Sequence, residues 1–344
     1  MQTFRCQCGH KLFFGSTHCV SCQETVGMCP TCRQVTALRS LDDGSWQCSN
    51  QSCGQKLKLC QNRVDHKACN CAVASEEKDQ PFCTYCRLNQ VIPDLSIEGN
   101  LVKWRRLEAA KRRVLYGVES VGLPIGDPSR NDLLPLTFEF KEDEAEPVNT
   151  GHASGLITIN LKEADSVKRE QTRVEFGEPQ RTLVGHFRHE LGHYYWDMLV
   201  EPSKLEAFRA LFGNEESPTY SEALSAYYDN GPQPNWQSQF ISAYASMHPW
   251  EDFAESFAAY LDMTSIVSTA QCFPRINADV PADDFDAWLK AYREIGVMAN
   301  EFNRDIGLLD LVPEVFNKPV IEKLRFMHDL KDIRVQSPEG SSSA

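Results

Sequence analysis

The feature that most constrains this chain is the short sequence His189-Glu190-Leu191-Gly192-His193, inside a run from Arg181 to Val200. Residues four apart lie on one face of an α-helix, so the two imidazoles can reach a single Zn²⁺ ion. Glu190 falls beside that ion, where a carboxylate can take a proton from a water molecule. Apolar residues recur at helical spacing through the run and no proline interrupts it. The sequence therefore predicts a helix that carries a zinc site, with Glu190 as general base.

A catalytic zinc site usually has three protein ligands and one open position, so a third ligand is needed. Metzincins take it from a histidine six residues after the motif, with a glycine three residues after the motif. The chain has Leu199 and Trp196 at those positions, which excludes this arrangement. The alternative is a glutamate on a later helix, as in gluzincins.

The segment from His248 to Leu261 fits that second pattern. Pro249 suits the first turn of a helix, and Glu251 and Glu255 are four residues apart and share a face. In gluzincins such as thermolysin, the first acid of such a pair binds zinc and the second orients a ligand histidine. That resemblance implies Glu251 as the third ligand and Glu255 as the residue that orients a histidine of the motif. Solvated helix-surface charge is the alternative interpretation of both glutamates.

Tyr244 lies seven residues before Glu251. A phenol near the metal can stabilise the oxyanion of a tetrahedral intermediate. Lethal-factor-like gluzincins carry a tyrosine in this relation to their zinc glutamate, and the resemblance implies a catalytic role for Tyr244. A packed core tyrosine is the alternative, because Pro249 can break the helix between the two residues.

The cysteines predict a second zinc-binding region. The chain has 14 cysteines, and 13 of them precede residue 87. The first residues have no apolar signal region, and no apolar run is long enough to cross a membrane. Clustered C-x-x-C pairs in such a chain favour zinc sites over disulfides, with the cytoplasm as the expected compartment.

Each predicted ribbon site is a set of close cysteine pairs, as a tetrahedral Cys₄ zinc site requires. The first set is Cys6, Cys8, Cys19 and Cys22, and the second is Cys29, Cys32, Cys48 and Cys53. The third is ambiguous, because five thiols are available for four positions: Cys60, Cys69, Cys71, Cys83 and Cys86. The spacing of the first set repeats in Cys69-x-Cys71 and Cys83-x-x-Cys86, which favours Cys71. We expect two to three structural zinc ions in this cysteine-rich region. One catalytic ion is expected at the HELGH site, which is named for residues 189–193.

Charge is distributed unevenly along the chain. The formal net charge is −13, and the pI is near 5.2. Residues 1–93 carry 10 Lys and Arg against 7 Asp and Glu, whereas the remainder carries 25 against 41. A nucleic-acid partner is therefore unlikely on bulk charge. A basic cluster between residues 103 and 113, on a long helix predicted over residues 97–122, is a candidate nucleic-acid contact. We interpret it instead as the solvated face of an amphipathic helix, or as a surface that pairs with the acidic body.

The patterns predict an α+β protein with three parts. A zinc-ribbon (rubredoxin-like) array occupies residues 1–93, a mainly helical zincin-like domain with a small sheet occupies 94–335, and a disordered tail occupies 336–344. Strands are predicted at 135–141 and 155–161, the second either at a cleft edge or in the centre of the sheet. Further helices are predicted at 203–213, 220–229, 235–247, 249–267, 282–306 and 313–332.

The whole arrangement resembles the putative zinc-binding metallopeptidases of bacteria, a gluzincin-like family with an N-terminal zinc ribbon. The most specific blocks are HELGHYYWDML and HPWEDFAE. The resemblance spans about Cys6 to Asp332. It implies zinc ligation by His189, His193 and Glu251, with Glu190 as base. It also implies that Cys60, with Cys69, Cys83 and Cys86, completes the third ribbon site.

These observations predict a zinc metallopeptidase acting on a peptide or protein substrate, with the ribbons available to a protein partner and no membrane association. One alternative is a binding module, in which the ribbons dock a protein or nucleic acid and the HELGH site is structural or vestigial. The intact Glu190 disfavours it, since a structural zinc site has no need of that carboxylate. Hydrolysis of a non-peptide amide is a third interpretation.

Overall fold

The computed structural model describes residues 2–130, 132–143, 147–175, 180–201, 203–276 and 278–333. The chain forms two compact units. The first comprises residues 1–115, 137–149 and 158–171, and the second comprises 116–136, 150–157 and 172–344. The predicted tail, 336–344, lies outside the described residues. The predicted boundary at residues 93 and 94 stays a prediction.

Seven short strands build the cysteine-rich region: β1 (Phe4–Arg5), β2 (Lys11–Leu12), β3 (Val26–Met28), β4 (Val35–Ser40), β5 (Trp46–Cys48), β6 (Lys56–Leu59) and β7 (Ala72–Ala74). β1 and β2 form an antiparallel pair, and β3 to β7 form an antiparallel sheet in chain order. The one-turn helix α1 (Gln61–Val64) lies between β6 and β7. Cys29 and Cys48 pack with Leu38, Leu57 and Ala72 in the small core of the sheet. Metal binding by the neighbouring cysteine sets would add folding free energy to a core this small.

A second sheet contains β8 (Asn89–Val91), β9 (Thr137–Lys141), β10 (Gly151–Ala153) and β11 (Leu156–Asn160), in the order β10-β11-β9-β8. β8 and β9 are parallel. The strand predicted at 155–161 is β11, and it has a neighbour on each side. It is therefore an interior strand, and the cleft-edge interpretation of this segment is wrong.

The long predicted helix is α2 (Asn100–Ser120). Its basic residues form a solvated face only in part, because Arg106 and Arg113 are exposed whereas Lys111 and Arg112 are buried. Lys111 Nζ lies 2.9 Å from Glu108 Oε1, and Arg112 Nη1 donates to Asn70 Oδ1 at 2.6 Å. Buried cations need such partners, so these side chains serve the first unit internally.

The remaining helices are α3 (Ser166–Glu175), α4 (Leu183–Tyr195), α5 (Leu205–Phe212), α6 (Tyr220–Asn230), α7 (Pro249–Ala270), α8 (Phe285–Asp305) and α9 (Lys318–Asp329). A π-helical turn, Trp196–Val200, extends α4 to the predicted end of the HELGH run. The helix α3 was not predicted. The α+β class, with a zinc-ribbon region followed by a mainly helical part with a small sheet, is confirmed.

The helix predicted at 235–247 is wrong. This segment has only two 3₁₀ turns, Trp236–Ser238 and Tyr244–Ser246. Side chains of the second unit take up its carbonyl groups: Asn317 donates to the carbonyl of Gln237 at 2.7 Å, and Lys323 donates to that of Gln239 at 3.0 Å. Tertiary hydrogen bonds thus replace the helical ones that the local sequence allows.

No helix in the described part of the chain is both long enough and apolar enough to cross a membrane.

Candidate metal centre

Helices α4 and α7 bring the predicted ligands together. Thr182 caps α4 by accepting a hydrogen bond from the backbone N–H of Gly185 at 2.9 Å. His248 caps α7, and Pro249 occupies its first turn. The helices approach closely at Gly192, where a Cβ atom would lie 2.7 Å from the Cα of Ala254. The glycine of the motif therefore sets the distance between the two histidines and the later glutamates.

Three candidate ligand atoms converge on one point. His189 Nε2 lies 3.0 Å from Glu251 Oε2 and 3.2 Å from His193 Nε2, and His193 Nε2 lies 3.5 Å from Glu251 Oε2. Ligands about 2.1 Å from a tetrahedral zinc ion lie about 3.4 Å from one another. Glu251 Oε2 is buried and has no hydrogen-bond partner among the described residues. The donor set and its spacing therefore fit zinc.

Glu255 holds the first histidine. Its Oε1 lies 2.7 Å from His189 Nδ1. Burial disfavours the charged form of His189, but the two neighbouring glutamates outweigh it and hold the pKa of His189 well above its usual value. Burial likewise opposes ionisation of Glu251, and its close approach to the two histidines nevertheless keeps the pKa of that carboxyl below its usual range. The centre therefore favours ionised carboxylates, as metal ligation requires.

Two tyrosines border the centre. Tyr220, the first residue of α6, donates its phenol hydrogen to Glu251 Oε1 at 2.9 Å. The ring of Tyr244 lies 6.1 Å from that of His189, centroid to centroid. Burial, and then the charge of Glu251, raises the pKa of both phenols well above the ordinary value. Both tyrosines therefore remain protonated donors near neutral pH.

His248 has a structural position. Its Nδ1 accepts a hydrogen bond from the backbone N–H of Trp250 at 3.2 Å, and its Nε2 lies 3.1 Å from the carbonyl oxygen of Glu215. Both ring nitrogens are thus engaged by the backbone, and His248 is not available to an oxyanion. Trp250 covers His193, with ring centroids 3.8 Å apart.

Two more titratable residues lie close to His193. Burial, and then the charge of His193, lowers the pKa of His152 to about 4. Burial raises the pKa of Asp197 to about 6, with a further contribution from the charge of Glu201. Near neutral pH, His152 is therefore a neutral imidazole and Asp197 is mostly ionised.

The cysteine sets also have the spacing of metal ligands. The Sγ atoms of Cys6 and Cys22 are 3.6 Å apart, and so are those of Cys8 and Cys19. In the second set, the corresponding distances are 3.8 Å for Cys29 with Cys53 and for Cys32 with Cys48. Thiolates about 2.3 Å from a tetrahedral zinc ion lie about 3.8 Å apart. Each set is thus preorganised for one ion.

In the third set, Cys60, Cys69, Cys83 and Cys86 converge, and all four are buried. Cys71 does not belong to this group. Its Sγ points to Asn70 Oδ1 at 3.9 Å, and its interactions with Cys69 and Cys83, together with burial, raise the pKa of its thiol. The arrangement favours Cys60 as the fourth ligand.

Sequence reasoning missed four residues at the HELGH centre: Tyr220, Trp250, His152 and Asp197. Two had local signals. Trp250 directly precedes the zinc glutamate, and Asp197 lies four residues after His193 on the continuing helix. Tyr220 and His152 come from distant segments, and no spacing rule connects them to the motif.

Comparison with known proteins assigns the family. Residues 100–330 match the family described as "putative zinc-binding metallo-peptidase", and residues 3–97 match a zinc-ribbon domain. The chain belongs to this zinc-binding metallopeptidase family, as the sequence motifs predicted.

Curated relatives extend over nearly the whole length. The chain is 36% identical over 343 residues to an uncharacterised protein of Mycobacterium tuberculosis and to one of Mycobacterium bovis. Each alignment covers 96% of this chain and 96% of the relative. No solved structure matches the chain.

Proposed function

We propose that this protein is a zinc-dependent peptidase of the gluzincin type. The observation that carries the proposal is the convergence of His189 Nε2, His193 Nε2 and Glu251 Oε2, with mutual distances of 3.0 to 3.5 Å. Three protein ligands leave a tetrahedral ion one open position, which is the coordination of a catalytic zinc rather than of a structural one.

The chain's own residues supply the acid–base chemistry. A zinc ion held there acts as a Lewis acid that polarises the substrate carbonyl and acidifies a water molecule. Glu190, next to His189 on α4, takes the proton of the attacking water and then gives it to the leaving amine. Its charge is one of the smaller contributions to the raised pKa of the Tyr220 phenol, after burial and Glu251.

Two phenols lie at the centre, and we assign them different roles. Tyr244 is our candidate donor to the developing oxyanion, because its ring lies beside that of His189 and its phenol stays protonated. Tyr220 has a different role. By donating to Glu251 Oε1, it leaves Oε2 as the oxygen that faces the histidines, and so favours monodentate ligation.

A peptide substrate needs an edge on which to bind. β10 (Gly151–Ala153) is the terminal strand of its sheet, so one of its sides has no strand neighbour in the part of the chain that the structure describes. His152 on this strand lies beside His193, with ring centroids 6.4 Å apart. We therefore assign strand addition of an extended peptide to β10 rather than to β11.

The three Cys₄ sets have a structural role in this proposal. Four thiolates fill a tetrahedral zinc site completely, which leaves no position for substrate or water. The ribbons thus stabilise the small sheets of the first unit, and their surface is available to a protein partner.

The test is the exchange Glu190→Gln. We expect the variant to keep its zinc and to lose turnover of a library of quenched fluorescent peptides, because an amide cannot accept the water proton. Glu206→Gln, which changes another glutamate of the second unit, in the first turn of α5, is the matched control and should retain wild-type turnover. Unchanged turnover in the Glu190 variant would refute the mechanism.

A further inference from the structure

The two histidine ligands differ in what holds them. His189 Nδ1 meets a carboxylate, whereas His193 Nδ1 is buried and has no hydrogen-bond partner among the described residues. Ligand histidines almost always donate their second ring N–H to a carboxylate, a carbonyl or water. Since His193 Nε2 faces the metal position, its Nδ1 carries the proton and requires an acceptor.

His152 has the same requirement. The backbone N–H of Gly155 donates to His152 Nε2 at 2.9 Å, so the proton of the neutral ring resides on Nδ1. That Nδ1 is also buried and unpartnered among the residues described, and the side chain is only 1% exposed. The rings of His152 and His193 are nearly parallel, with an interplanar angle of 20°. Two imidazole donors therefore lie side by side.

Asp197 is a carboxylate that lies close to this pair of donors. It follows His193 by four residues, on the π-helical turn that continues α4. Its Oδ2 lies 3.9 Å from His152 Nδ1, and the charge of His193 lowers its pKa, against the larger opposing effect of burial. A displacement of about 1 Å brings the carboxylate to hydrogen-bonding distance from His152 Nδ1.

We propose that Asp197 and His152 position the metal ligand His193, with Asp197 as the acceptor for the Nδ1–H groups of both imidazoles. This proposal rests on the metal centre of the proposed function. Asp197 then accepts a hydrogen bond from His193 Nδ1, as Glu255 does from His189 Nδ1. His152 ties this arrangement to β10, the strand that we assign to peptide binding.

The experiment measures the zinc affinity of the HELGH site in the full-length protein by competition with a graded series of chelators. The phase of zinc release that is missing in His189→Ala belongs to the HELGH site. The remaining phases belong to the three cysteine sites. Asp197→Ala should weaken zinc binding in that phase by about 10- to 100-fold, and Asp197→Asn, which keeps an acceptor oxygen, should weaken it less. Glu201→Gln removes a neighbouring charge of the same turn and should leave the affinity unchanged.

A structural role alone would lower thermal stability or release the cysteine-bound zinc as well, so both are measured in every variant. Wild-type affinity in Asp197→Ala overturns the proposal. If that variant does not fold, Asp197→Leu, which has a similar shape and no acceptor oxygen, decides, and wild-type affinity there has the same meaning. If His189→Ala loses no zinc, the metal centre itself is wrong, which separates failure of the proposed function from failure of this inference alone.

Discussion

Glu255 Oε1 lies 2.7 Å from His189 Nδ1, one helical turn beyond the proposed ligand Glu251. A single helix, α7, thus presents one carboxylate to the metal position and another to the back of the facing histidine. The close approach of α4 and α7 at Gly192 makes this possible, because any Cβ atom there would press on Ala254.

The first prediction concerns this second carboxylate. Glu255→Ala should lower the zinc affinity of the HELGH site by about 10- to 100-fold, because the Nδ1–H of His189 loses its acceptor and the ring its fixed orientation. Chelator competition measures the change. Glu294→Ala, an exposed glutamate on α8, is the control and should bind zinc like the wild type. Equal affinity in the two variants would contradict the assignment.

Substitution of the two tyrosines should have different effects on zinc affinity and on kcat. Tyr220→Phe removes the donor to Glu251 Oε1 and should weaken zinc binding by about 10-fold, since a hydrogen bond to a charged group contributes about 1.5–3 kcal/mol. Tyr244→Phe should keep zinc and lower kcat by about 10²–10³, as expected for loss of an oxyanion donor.

Peptide turnover and zinc competition on both tyrosine variants provide the measurement, and each variant is the control for the other. The opposite split, with Tyr244 controlling zinc binding and Tyr220 controlling kcat, would exchange the two roles. No effect of either variant on kcat would remove the oxyanion donor from the mechanism.

The third ribbon site can be tested by zinc content. Cys60→Ser should lose one zinc ion and destabilise the β6–β7 hairpin, because Cys60 belongs to the converging set. Cys71→Ser should keep the full zinc content, since its thiol lies outside that set. Native mass spectrometry counts the bound ions directly, and loss of an ion from the Cys71 variant would show that the repeat in the sequence defines the site.

The lowered pKa of His328 predicts that the stability of the folded protein depends on pH. Burial, and then the charge of Lys331, lowers its pKa below the ordinary 6.5, against smaller opposing effects of Asp283, Asp329 and Asp332. The unfolded chain therefore binds more protons as the pH falls below 6.5, and the folded state loses stability in that range.

Thermal unfolding of zinc-saturated protein at pH 7.5 and 5.5 measures this effect. His328→Gln should show a smaller loss of stability on acidification than the wild type, since the titrating group is gone. Equal losses in the two proteins would mean that other groups account for the acid sensitivity.

The sequence by itself determined the parts whose chemistry is local. The HELGH helix, the acid pair of α7 and the close cysteine pairs are set by spacings of two to five residues. The helix and the cysteine turns convert these spacings directly into the geometry of candidate ligands. The family assignment rests on the same blocks.

Only the tertiary structure decided the parts that distant segments supply. The spacing of the cysteines alone favours Cys71, whereas the structure places Cys60 with Cys69, Cys83 and Cys86. Residues 235–247 have helical composition, yet side chains of α9 and its cap bind their carbonyl groups and exclude the helix. Tyr220 and His152 reach the centre from α6 and β10. Local periodicity cannot encode these contacts, because they are fixed by which elements pack together rather than by how far apart residues lie in the chain.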